Sequence, residues 1–99
     1  MSLSAKAARQ LRALGHDLSP VVSIGKEGIT DGVLEATRAA LLTHELIKVK
    51  VQREAPLDRK DAAAELASKT SSSLAQVLGR TFLLYKRHPK KPKIELPRE

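Results

Sequence analysis

A chain of 99 residues has room for one domain with a single modest core, and its apolar content of 41% is that of a globular protein. Lys and Arg number 18 against 11 Asp and Glu, leaving a net charge of +7 that points to an anionic partner. No run of about 18 apolar residues is present to span a membrane, and the absence of cysteine excludes disulfides, cysteine–zinc sites and thiol chemistry.

The stretch after Met1-Ser2-Leu3-Ser4 mixes basic and apolar residues and does not read as a signal peptide, so a cytoplasmic location is expected. Residues 4 to 14 predict a helix. Ser4 can cap it, Ala7, Leu11, Leu14 and Leu18 mark a buried stripe at helical spacing, and Gly15 is a plausible stop. Lys6, Arg9 and Arg12, at i, i+3 and i+6, share the outward face. That face carries no acidic residue, whereas a face serving only solubility would mix signs.

Pro20 to Ile24 reads as a short apolar strand, followed by Gly25-Lys26-Glu27-Gly28 and a helix start at Thr30. Two glycines three apart let the backbone turn tightly and approach a ligand closely. The following helix directs unpaired N–H groups and its positive dipole end back toward the loop. Lys26 adds a point charge, and Thr30 a hydroxyl as well as the cap. Such a corner suits one phosphate group, with an ordinary strand-to-helix turn as the bland alternative. The helix runs to about Thr43 and buries Val33, Leu34, Thr37 and Leu41.

Leu46 to Gln52 alternates strictly, with Ile47, Val49 and Val51 on one side and Lys48, Lys50 and Gln52 on the other, as in a half-buried strand with a basic open face. Pro56 breaks the chain. Asp58 can cap a third helix over about 59–69, with Ala62, Ala63 and Leu66 inward. Ser71-Ser72-Ser73 reads as a loop. Leu74–Leu78 and Thr81–Lys86 predict strands joined by Gly79-Arg80, where Gly at the first central position suits a type II′ hairpin. From Lys86 to Lys93 there are five Lys or Arg and no acid. Such a run attracts polyanions without sequence choice, or else forms a solvated tail.

The expected fold class is therefore α/β: one compact domain over residues 1–86, in α-β-α-β-α-β-β order, with a mixed four-stranded sheet and helices packed on one face. Residues 87–99 form a basic Pro- and Lys-rich tail that could dock through Ile94 and Leu96.

The residues also match a known family. The matching stretches are Leu11-Arg12-Ala13-Leu14-Gly15-His16-Asp17-Leu18-Ser19-Pro20, Ile24-Gly25-Lys26-Glu27-Gly28-Ile29-Thr30 and His44-Glu45-Leu46-Ile47-Lys48-Val49-Lys50. Val77-Leu78-Gly79, Leu83-Leu84-Tyr85-Lys86 and Ile94-Glu95-Leu96-Pro97 complete the set. In this order and spacing the chain resembles the CRM-domain family, in its stand-alone bacterial YhbY type. The resemblance implies an RNA-binding α/β domain related in fold to the C-terminal domain of translation initiation factor three. It also implies association with ribosomal RNA or precursors of the large ribosomal subunit. Glu27 departs from the family pattern by placing a negative charge inside the GxxG loop, and Gly15 stands where alanine is common.

Gly25, Lys26, Gly28, Thr30, Lys6, Arg9, Arg12, Lys48 and Lys50 are thus the candidate RNA contacts. Phe82 and Tyr85 are the only aromatic residues and, three apart on one strand, face opposite sides. They cannot build a base-stacking platform, so recognition through phosphates, sugars and shape is expected. His16 and His44 sit at predicted helix ends, where a protonated ring suits the dipole. The histidines have no metal-ligand spacing, and no nucleophile–base pair or paired carboxylate stands out. No catalysis, metal, cofactor or small-molecule substrate is expected, and the oligomeric state is left open. The rival readings are a DNA-binding nucleoid-associated protein and a ribosome-bound protein-interaction adaptor.

Overall fold

A computed structural model describes residues 3–97; Met1, Ser2, Arg98 and Glu99, which the signal-peptide and tail readings include, lie outside the described residues. All three expected caps form, each supplying a side-chain acceptor to an otherwise unpaired N–H of the first turn. Ser4 Oγ accepts from Ala7 N at 3.0 Å to start α1 (Ala5–Gly15). Thr30 Oγ1 accepts from Val33 N at 3.1 Å to start α2 (Asp31–His44). Asp58 Oδ2 accepts from Lys60 N at 3.1 Å to start α3 (Arg59–Thr70).

The strands are β1 (Pro20–Ile24), β2 (Leu46–Val51), β3 (Ser73–Leu78) and β4 (Thr81–Tyr85), which completes the expected element order. They form one mixed sheet in the spatial order β1-β2-β4-β3, with β1 parallel to β2 and β4 antiparallel to both its neighbours. At the β3–β4 turn Gly79 takes φ +60° while Arg80 stays out of the positive-φ region, as a type II′ turn requires. The serine run is shorter as a loop than expected. Ser71, in the left-handed conformation, caps α3, and Ser73 already opens β3.

The helices do not share one face of the sheet. Val22, Ile24, Ile47, Val49, Val51, Phe82 and Leu84 pack under α2 and α3, with Leu41, Ala62, Ala63 and Leu66. On the other face Leu46, Leu83, Tyr85 and Ala75 pack with Leu11 of α1, and Leu3, Ile94 and Leu96 lie against them. The cause is β4. Lys48 and Lys50 leave one half of that second face polar, but Phe82-Leu83-Leu84-Tyr85 is an unbroken apolar run and needs cover on both sides.

Within α1 the buried stripe is Ala7, Leu11 and Gly15. Leu14 and Leu18, expected inward, are 47% and 37% exposed. Leu14 falls on the flank of the stripe, and Leu18 lies beyond the helix end, where helical spacing no longer applies. Both border an open groove of about 430 Å³ with Val21 and Ile94. Gly15 is more than a stop: its α-carbon rests on β4, and a Cβ there would collide with the Leu83 side chain.

Candidate functional site

The corner between β1 and α2 is built as a tight turn. Gly28 N donates to Gly25 O at 3.0 Å, leaving Lys26 and Glu27 exposed at the tip. Gly28 holds φ +74°, a conformation that costs a side chain about 1–2 kcal/mol, and a Cβ on it would lie 3.3 Å from Pro56 Cγ. Gly25 differs. Its φ is not in the left-handed region and nothing lies within 4 Å of where its Cβ would be, so the space on that side is open although the residue itself is half-buried. Thr30 Oγ1 already accepts from Val33 N, so its hydroxyl proton is what remains for a ligand.

Three loops meet at this end of the sheet. Ile24 pairs with Val51, and Gln52 N donates to Ile24 O at 2.8 Å, so the GxxG turn sits beside the β2–α3 connection. The Gln52 amide donates to Ser23 Oγ at 2.6 Å. Val51 N donates to Arg80 O at 2.7 Å, which brings in the tip of the β3–β4 hairpin. Lys48 and Lys50 project from β2 onto the face away from α2 and α3. Lys50 is opposite Ser23 and exposed, Lys48 half-buried. Arg12, from the last turn of α1, shares a cavity of about 200 Å³ with Lys48, Gly15 and His16.

The candidate residues therefore fall into two groups. Gly25, Lys26, Gly28 and Thr30 form the corner, but Gly28 is buried against Pro56 and shapes the turn rather than offering the close backbone approach expected of it, and Lys50, Lys48 and Arg12 lie on the other side of the sheet from α2 and α3. Lys6 and Arg9 are exposed on α1, turned away from the sheet, with no contact that joins them to the corner.

Charge is distributed unevenly. Lys69 with Glu65, at 3.0 Å, is the only ion pair among the described residues. Lys26, Lys48, Lys50, Arg53, Lys60 and Arg80 have no side-chain hydrogen bond or ion pair among the described residues, and neither do Arg87, Lys90 and Lys91 at the opposite end of the sheet, but three other cations at that end are tied to helix C-termini. Lys86 Nζ donates to Thr70 O at 3.1 Å, Arg38 to Lys69 O at 3.2 Å and Lys93 Nζ to Thr43 O at 3.2 Å. Two members of the basic tail run are thus engaged within the fold.

Glu45, which the sequence reading passed over, anchors that opposite end. It follows α2 at φ 61° and is buried. Its Oε2 accepts from His88 N at 2.7 Å, and its Oε1 from Lys93 N at 2.7 Å and Ile94 N at 2.8 Å. Burial is the largest single influence and raises its pKa. The three N–H donors, with the His88 ring when charged, outweigh it and hold the carboxyl below the usual glutamate value. Also passed over were Arg53, Arg59, Lys60 and Arg80, all beside the β2–α3 connection. Their only sequence signal is their position next to the chain breaks at Pro56 and Gly79. Among the described residues no group of three or more His, Cys, Asp or Glu could hold a metal ion, and no helix is long and apolar enough to cross a membrane.

Comparison with known proteins agrees with this architecture. A Pseudomonas aeruginosa protein named "Probable RNA-binding protein PA4753" is 38% identical over 90 residues, 91% of this chain and 86% of that protein. A Bacillus subtilis protein named "Probable RNA-binding protein YqeI" is 38% identical over 95 residues, 96% of this chain and 99% of that one. The solution structure of SAV1595 from Staphylococcus aureus, titled "a putative RNA binding protein", superposes with a TM-score of 0.82 at 37% identity, covering 96% of this chain and 99% of that one. The profile of the CRS1 / YhbY (CRM) domain matches residues 3–86, from the approach to α1 to the residue after β4, and with that span matched the chain belongs to the CRS1 / YhbY (CRM) domain family.

Proposed function

We propose that this domain binds structured RNA through its phosphate backbone, and that it acts in assembly of the large ribosomal subunit. The observation that carries the binding mode is the open space on one side of Gly25 beside the unpaired Lys26, with Lys50, Lys48 and Arg12 together on one side of the sheet. The N–H groups of Lys26 and Glu27 have no acceptor among the described residues and are available to a phosphate oxygen. Glu27 and Asp31 follow Lys26 in the chain and add negative charge toward α2, so the Gly25–Lys26 part of the turn is the more favourable one for a phosphate. The RNA-binding names of the relatives support RNA as the polyanion, and the ribosomal role rests on the family resemblance.

Stacking is not the binding mode. Phe82 and Tyr85 are 1% and 3% exposed, and the chain has no other Phe, Tyr or Trp. Single-stranded RNA held by base–aromatic contacts is therefore a poor substrate, and a folded RNA presenting its backbone is the better one.

Competition binding at fixed, near-physiological salt tests this reading. A structured ribosomal RNA fragment should displace a labelled RNA at lower concentration than duplex DNA of equal length. Equal or stronger competition by DNA would favour a nucleoid role. Affinity should also fall steeply with salt, because Lys and Arg contacts release condensed counterions. A flat salt dependence would favour the adaptor role, for which the exposed groove of Leu14, Leu18 and Val21 supplies an apolar surface.

A further inference from the structure

We infer that the cleft between the β2–α3 connection and the β3–β4 hairpin is a second backbone-phosphate site for the same RNA. This rests on the RNA-binding reading above and extends the footprint past the GxxG corner.

The cleft has a volume of about 440 Å³ and is lined by Arg53, Arg59, Lys60 and Arg80, with Gln52 and Asp58. Four cations surround it, drawn from three separate segments. Like charges gathered in one cleft repel, and folding alone gives no reason to collect them. The one carboxylate in the lining is already engaged, since Asp58 Oδ2 accepts from Lys60 N to cap α3. Arg53, Lys60 and Arg80 keep their charged ends free among the described residues.

The walls are fixed before any ligand arrives. Arg59 donates from Nη1 to Gly79 O at 3.0 Å, which ties the start of α3 to the hairpin tip. Arg80 O accepts from Val51 N at 2.7 Å, which ties the tip to the end of β2. Arg59 keeps the rest of its planar fork for an oxyanion. The cleft also adjoins the corner directly. Pro56 lies between the lining residues Ala55 and Leu57 and is the residue Gly28 rests against. The corner and the cleft therefore lie side by side at one end of the sheet.

The test is the double variant Arg53→Ala/Arg80→Ala, which spares Arg59 and leaves the backbone bond of Arg80 intact. Urea unfolding should match the parent. Binding of a structured RNA should weaken roughly tenfold or more at near-physiological salt, and the log–log salt slope should shrink by about one to two, as expected for two lost phosphate contacts. A short RNA that fills only the corner should bind parent and variant alike. An unchanged slope in the double variant, with Gly25→Ala still weakening binding, overturns the cleft and leaves the RNA-binding reading standing. A parent chain that binds no structured RNA overturns both. In a parallel titration with adenosine monophosphate and with inorganic phosphate, the amide signals of Arg53 and Arg80 should move little. Saturation by either would make the cleft a small-anion site and overturn its assignment to RNA.

Discussion

Gly25→Ala and Gly28→Ala separate function from fold at the same turn. At Gly25 a Cβ meets nothing within 4 Å and the backbone is not left-handed. Alanine there should leave stability unchanged or raise it by roughly 0.4–1 kcal/mol through the unfolded chain. At Gly28, φ +74° costs alanine about 1–2 kcal/mol, and the new Cβ would lie 3.3 Å from Pro56 Cγ and press on the β2–α3 connection. Even so, a domain with about 5–15 kcal/mol of stability remains folded. Binding should not follow that order. Under the proposed binding mode, a methyl at Gly25 would occupy the space through which a phosphate oxygen reaches the Lys26 and Glu27 N–H groups. Losing even one charge-assisted hydrogen bond of about 1.5–3 kcal/mol weakens binding by roughly tenfold or more. Fluorescence anisotropy with a labelled structured RNA, paired with urea unfolding of each variant, reads both quantities. The expected pattern is Gly25→Ala with a parental or higher midpoint and at least tenfold weaker binding, and Gly28→Ala with a lower midpoint. If Gly25→Ala binds RNA as the parent does, no phosphate approaches that backbone and the corner is only a turn.

Glu45→Gln should loosen the C-terminal segment, because an amide cannot accept on both sides and sets a donor against His88 N or against Lys93 N and Ile94 N. About 2–3 kcal/mol of stability should be lost, read by urea unfolding. Since the folded pKa of Glu45 lies below its ordinary value of 4.5, its contribution is full above that value and disappears as pH falls through the folded one. Stability should thus decline on acidification below the usual carboxylate range, less steeply in Glu45→Gln. Tyr85, whose pKa is raised by burial first and by the Glu45 charge second, against a smaller opposing effect of Arg87, should ionise at lower pH in that variant. As the single tyrosine it reports this by absorbance. Gly15→Ala should destabilise by about 1 kcal/mol through overpacking on Leu83, and the double variant with Leu83→Val should recover most of that loss. Additive losses would mean that the two positions do not touch.

Local signals were legible and distant ones were not. Ser4, Thr30 and Asp58 announce their helices because a cap acts within three residues. The alternation of Leu46–Gln52 orients β2 correctly because side-chain direction in a strand depends on parity alone. The side of the sheet that α1 covers is a tertiary matter. The lysines of β2 argue for an open face, and the apolar run of β4 argues for a covered one. The structure satisfies both by placing α1 over Leu46, Leu83 and Tyr85 and leaving Lys50 and Ser23 uncovered. Glu45 gives no local sign of burial because its partners lie 43 to 49 residues away. The corner could be read at Gly25–Thr30 because a turn and a helix start are contiguous. Arg53 and Arg80 could not be joined to it, because only the pairing of β2 with β1 and β4 brings their loops to the same end.

Three cations at one end of the sheet answer helix carbonyls that the other end does not offer, and the helix directions explain why. α2 and α3 both run from the GxxG end toward the Tyr85 end, so their C-terminal carbonyls gather at the latter and attract cations. Lys86, Lys93 and Arg38 answer those carbonyls directly, and Glu45 organises the segment that carries two of them. At the GxxG end the same dipoles present their positive poles, where Asp31 and Asp58 are the expected complements. Lys26, Arg53, Lys60 and Arg80 are placed there against that preference and without carboxylate partners. Charge set against the local field adds little to the fold, and under the proposed function it becomes favourable when a polyanion covers it.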